Sequence, residues 1–99
     1  MRMMLKITFP TDTANSAFKD GSFSKLLEAT MSKLKPEAAY FLSNNGCRCA
    51  MVFFDMQDSS EIPSIAEPLF LGLNVQVEFE PVMNLTDLQK GLAAAMQAR

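Results

Sequence analysis

Ala38-Ala39-Tyr40-Phe41-Leu42-Ser43-Asn44-Asn45-Gly46-Cys47-Arg48-Cys49-Ala50-Met51-Val52-Phe53-Phe54 is the stretch on which the fold turns. Asn-Gly between two apolar, strand-forming runs is the strongest short-range hairpin signal, so 38–42 and 47–54 are expected to pair antiparallel. In the second run Cys47, Cys49, Met51 and Phe53 alternate with Arg48, Ala50, Val52 and Phe54, which leaves it apolar on both parities. A strand with one wet face normally shows a polar side. This one is expected to be buried on both.

Upstream of the hairpin, Met3, Leu5, Ile7 and Phe9 alternate with Met4, Lys6 and Thr8 until Pro10, the pattern of a strand with one buried face. Thr11 to Asp20 carries a weak helical side of Ala14, Ala17 and Phe18, and Gly21 is placed to end it in the left-handed region. Phe23, Leu26, Leu27, Met31 and Leu34 then follow helical spacing after a Ser22 or Ser24 cap, up to Pro36. Downstream, Asp58 or Ser59 opens a helix with Glu61 and Pro63 in its first turn and Ile62, Ile65, Ala66, Leu69 and Phe70 on one face. Pro68 deletes the amide hydrogen bond to the Ser64 carbonyl and predicts a kink, with Gly72 as the stop. Val75, Val77 and Phe79 alternate with Gln76, Glu78 and Glu80 as a fourth strand. Asn84 with Asp87 then caps a last helix, with Met83 stapled on Leu88 and a stripe of Leu85, Leu88, Leu92 and Met96 buried in core or dimer packing.

The order strand, helix, strand, strand, helix, strand, helix predicts an α+β, ferredoxin-like split βαβ fold, βαββαβ plus a C-terminal helix. It spans residues 1–99 as a single domain, and its four-stranded antiparallel sheet, in spatial order 4-1-3-2, has helices on one face. Lys6, Thr8, Gln76 and Glu78 fall on the other face. No segment remains to cover that face, whereas the strand over 47–54 asks for cover on both sides. A second copy meeting it through a closed twofold contact is the expected answer.

Ninety-nine residues, 48% of them apolar and 20% charged, form one ordinary core and exclude a disordered or low-complexity chain. A net charge of −2 without a basic cluster argues against nucleic acid as a partner. No apolar run nears the roughly 20 residues of a membrane helix, and the opening Met-Arg-Met-Met-Leu-Lys is too short for a signal-peptide core, so a cytoplasmic protein without a membrane partner is expected. Histidine and tryptophan are absent. Cys47 and Cys49, two apart on a strand, point to one face as reduced, buried small side chains. A zinc site would need about four ligands, so no metal and no cofactor is expected.

Several segments carry a closer likeness. Asn15 to Gly21 with its Lys19-Asp20-Gly21, Leu34-Lys35-Pro36-Glu37-Ala38-Ala39-Tyr40-Phe41, Asn45-Gly46 and Phe54-Asp55-Met56-Gln57-Asp58 resemble a bacterial branch of the dimeric α/β-barrel superfamily. So do Ile62-Pro63-Ser64-Ile65-Ala66-Glu67-Pro68-Leu69-Phe70 and Pro81-Val82-Met83-Asn84. That branch has proteins of about one hundred residues and no assigned activity. The resemblance implies two sheets packed face to face around a cavity. Better-known members of the superfamily include cofactor-independent quinone-forming monooxygenases, muconolactone isomerase and haem-binding proteins. Their sites use His, Trp or Asn, and the first two are missing here.

Five side chains are candidates for lining such a cavity: Lys6, Thr8, Tyr40, Arg48 and Glu78. Lys6 and Glu78, on neighbouring strands, are expected to form a cross-strand ion pair, with Glu80 nearby. A two-residue Asn45-Gly46 turn sets residue 40 opposite 51 and sends Arg48 to the other face. A three-residue Asn44-Asn45-Gly46 loop brings Tyr40 and Arg48 together. Asp55, Gln57 and Asp58 read as a polar loop with a cap. The expected function is a homodimer joined through the open sheet face, binding a small, partly apolar molecule in the intersheet cavity. The alternatives are a monooxygenase- or isomerase-like enzyme using Glu78 or Tyr40, and a packed structural or partner-binding dimer.

Overall fold

The computed structural model describes residues 1–98. Its elements are β1 (Arg2–Thr8), α1 (Thr11–Asp20), α2 (Ser22–Leu34), β2 (Ala38–Asn44), β3 (Cys47–Asp55), α3 (Ile62–Leu73, entered through a 3-10 turn at Ser59–Glu61), β4 (Gln76–Pro81) and α4 (Leu85–Gln97). The four strands form one antiparallel sheet in the order β2-β3-β1-β4. This is the ferredoxin-like α+β arrangement expected from the order of the elements.

Alternation along β1 assigns the two faces of the sheet. Met3, Leu5 and Ile7 are buried beneath the helices, opposite Phe54, Val52 and Ala50 of β3. Their core continues through Phe9, Ala14, Ala17, Leu34, Met56, Ile65, Leu69, Leu73 and Val75. Arg2, Met4, Lys6 and Thr8 lie on the opposite parity, all only half-buried. Asn45 and Gly46 both have positive φ, 52° and 79°, the backbone of a two-residue hairpin whose twist matches the strands. Tyr40 therefore stands opposite Met51, and Ser43 opposite Arg48.

Asp58 caps the turn that leads into α3, accepting from the Ser60 amide at 3.1 Å, while the Glu61 carboxylate accepts from the Asp58 amide at 2.8 Å. The helix runs through Pro68 without interruption. Proline leaves the Ser64 carbonyl without its i+4 donor, and the Lys33 Nζ of α2 donates to that oxygen instead. The helix also passes Gly72, the expected stop, and ends at Asn74 in the left-handed region with φ 55°. Asn tolerates that conformation, and Gly72 instead permits close packing: a Cβ there would sit 3.2 Å from Leu26 Cδ2.

The largest departure from expectation is α4. Its capping box forms as read, with Asn84 Oδ1 accepting from the Asp87 amide at 2.8 Å and Asp87 returning to the Asn84 amide at 3.1 Å. The stripe of Leu85, Leu88, Leu92 and Met96, however, is not buried in this chain: these side chains are 69, 40, 56 and 64% exposed. No residue of α4 is buried, and the helix makes at most marginal contact with other elements. The radius of gyration is 16.0 Å and the long axis 56 Å, against about 13 Å for the radius of a compact chain of this length. Helical spacing identifies an apolar face but not its partner, and among the described residues nothing buries Leu85, Leu88 or Leu92.

Two outcomes follow for α3. Pro68→Ala restores an amide donor to Ser64 at the loss of proline's restriction of the unfolded chain, a net gain of about 1–2 kcal/mol, read as a higher denaturant midpoint at unchanged slope. The bonds from Ser60 hold the Asp58 carboxyl below its ordinary value. A lowered folded value means that Asp58 stabilises fully above about pH 4 and loses this contribution as pH falls through the lowered value. An NMR titration should place the Asp58 midpoint below that of the same residue in Ser60→Ala.

Candidate functional site

The sheet face away from α1, α2 and α3 is the candidate site. Antiparallel register aligns its side chains in rows across the four strands. One row runs Tyr40, Met51, Lys6, Glu78, and its neighbours run Leu42, Cys49, Thr8, Gln76 and Ala38, Phe53, Met4, Glu80. Four of the five expected residues, Lys6, Thr8, Tyr40 and Glu78, thus share this face. Strands are about 4.8 Å apart, so Tyr40 and Lys6, separated by β3, stand roughly 10 Å apart across Met51.

Within the central row Lys6 Nζ approaches Glu78 Oε2 at 3.9 Å, the cross-strand pair expected from parity. The lysine side chain is 24% exposed and the carboxylate 61%, so water screens the pair strongly. The Tyr40 ring meets Phe53 edge-on at a centroid separation of 6.3 Å, and Tyr40 itself is largely exposed. Thr8 Oγ1 donates weakly to Cys49 Sγ at 3.9 Å. Cys49 is buried and Cys47 half-buried, and both are free thiols. Met51 and Phe53 are only half-buried within one chain.

Arg48 departs from the group. The two-residue turn puts it on the helix face, where Nη1 donates to Asn15 Oδ1 at 3.0 Å and the guanidinium carbon lies 5.8 Å from the Phe18 ring centroid. The open face joins an apolar centre (Met4, Leu42, Met51, Phe53) to a charged rim on β4. It can hold a partly apolar surface or molecule, with Lys6 and Glu78 as polar anchors. Met4, Leu42 and Phe53 were open to detection by the parity that selected Lys6, but their apolar character singled out nothing chemical.

A second feature lies where α4 departs. Arg2 Nε and Nη2 donate to Glu37, and Nη1 reaches Asp87 Oδ2 at 3.4 Å, so one guanidinium ties β1, the residue before β2 and the first turn of α4. The hydrogen bond and negative charge of Glu37 raise the Arg2 pKa above its ordinary value. These residues line a cleft of about 630 Å³ together with Lys35, Asp55 and Met83. Nothing in the sequence pattern marked Arg2, because its partners lie 35 and 85 residues away. Among the described residues no group of three or more His, Cys, Asp or Glu could hold a metal ion, and no helix is long and apolar enough to cross a membrane.

No family model matches the chain, and no curated protein matches it. Among solved structures it is similar to a de novo designed protein, Ferredog-Diesel, at 13% identity and a TM-score of 0.48, over 82% of this chain and 85% of that one.

The ion pair supplies a measurable quantity. A double-mutant cycle of Lys6→Met and Glu78→Gln should give a coupling of about 0.2–1 kcal/mol at low salt in dilute protein, fading as ionic strength rises.

Proposed function

We propose that the chain acts as a twofold homodimer of the dimeric α/β-barrel type, in which two open sheet faces and two α4 helices enclose a chamber for a small, partly apolar molecule. One observation carries this reading: a single chain leaves two apolar surfaces incompletely covered, the sheet face around the half-buried Met51 and Phe53 and the exposed stripe Leu85, Leu88, Leu92. A lone helix of this length is marginal in water, so α4 requires a surface to fold against. Its 13 residues extend about 20 Å, enough to cross four strands spaced about 4.8 Å apart. The Arg2–Asp87 contact lies at its first turn, and the exposure of Leu85, Leu88 and Leu92 beyond it favours an exchange of helices between two copies over a return onto the chain's own sheet.

The central row supports a partly apolar ligand, with Tyr40 and Met51 as an apolar floor and Lys6 and Glu78 as polar anchors. The free thiols of Cys47 and Cys49 favour a reducing, cytoplasmic setting. The resemblance of segments such as Leu34-Lys35-Pro36-Glu37-Ala38-Ala39-Tyr40-Phe41 to the uncharacterised bacterial branch points the same way.

Light scattering across the micromolar range should give twice the 11.0 kDa chain mass, and Leu88→Glu with Leu92→Glu should shift the population to monomer at unchanged sheet content. A monomer at the highest soluble concentration would overturn the reading. Mass spectrometry of native dimer should reveal a co-purified small molecule, or saturable binding lost in Lys6→Met; an intersheet space filled by side chains alone would leave a packed dimer and remove the chamber.

A further inference from the structure

The helix layer stops short of the far side of the sheet. Phe41 of β2 stands opposite Ala50 on the helix-side parity, where Ala50 and Ile7 are fully buried, yet it remains 62% exposed. Beside it, α1, the start of α2 and the β2–β3 hairpin bound a groove of about 660 Å³, within the range of small-molecule sites. Phe9, Phe23, Phe41 and Leu42 supply its apolar wall, and Asn15 and Arg48 its polar end.

Arg48 gives the groove a sign. A guanidinium has five N–H donors. One is used here, toward Asn15, and the Phe18 ring flanks the group. None of the ion pairs among the described residues involves Arg48, whereas Arg2 is bound by two carboxylates. An arginine held at two points beside an apolar wall, with most donors unspent, complements a planar carboxylate geometrically and electrically.

We propose that this groove is a binding site for a small monocarboxylate with an apolar body, its carboxylate on Arg48 and its body against Phe9, Phe23 and Phe41. Charge complementarity at Arg48 distinguishes this occupant from a neutral apolar molecule. Arg48, Phe9, Phe23 and Phe41 lie on the helix side of the sheet, across from Lys6, and only Leu42, Cys47 and Cys49 reach the groove from the open face.

Decanoate, titrated into the full-length protein below its micelle concentration, tests the proposal, with decanol as the uncharged control and amide chemical shifts as the readout. Decanoate should saturate, with the largest shifts at Asn15, Phe41 and Arg48, and bind at least tenfold more tightly than decanol. Arg48→Gln should weaken decanoate at least tenfold and leave decanol unchanged, whereas Phe41→Ser should weaken both. Equal affinity of decanoate and decanol, insensitivity to Arg48→Gln, shifts centred on Met51 and Lys6, or a groove closed to decanoate by self-association would each overturn it.

Discussion

The two residues of the Asn45-Gly46 turn determine which side chains of β2 and β3 face which solvent or core. Because side chains alternate along a strand, one extra residue in this turn would exchange the faces of β2 relative to β3. Both residues occupy positive φ, which Asn tolerates and Gly adopts freely. The result is a sheet with two distinct chemistries: Lys6, Thr8, Tyr40 and Glu78 around an apolar centre on one side, and Arg48 with Asn15 and Phe18 on the other.

Magnitudes rank the forces behind this arrangement. Truncating Leu5 or Ile7, which have no exposed surface, would cost about 2–5 kcal/mol, several times the worth of a solvent-screened ion pair such as Lys6–Glu78. Packing beneath the helices holds the body together, and polar contacts adjust it. Lys33 illustrates the adjustment: its ammonium takes the place of a backbone donor that Pro68 cannot supply, linking α2 to α3 where the helix lacks one hydrogen bond.

Much of the fold was legible because it depends on local rules. Alternation in β1, the Asn-Gly hairpin, the Asn84–Asp87 box and Gly21 with φ 84° all require only neighbours in sequence. The end of α3 was misplaced by two residues because Gly72 and Asn74 can both stop a helix, and tertiary contact with Leu26 assigned Gly72 a packing role. The open-face members of the site followed from parity. Arg48 did not, since its side depended on a turn length that Asn44-Asn45-Gly46 leaves open. The stripe on α4 was read correctly as apolar, but its packing in the chain's own core does not occur, because amphipathicity records a demand for a partner without locating it.

In a single chain, the isolation of α4 from its own body divides the molecule into two thermodynamic units. Amide protons in β1 and β3 are released to solvent by global unfolding, whereas those of α4 need only the fraying of one helix anchored by its cap and by Arg2. Melting curves that report on the core are therefore blind to this arm. Proteases meet a different molecule from calorimeters: in a single chain, cleavage near Gly91 removes an element that adds little to the heat of unfolding, whereas in a helix-exchanged dimer the same cut strips the seam.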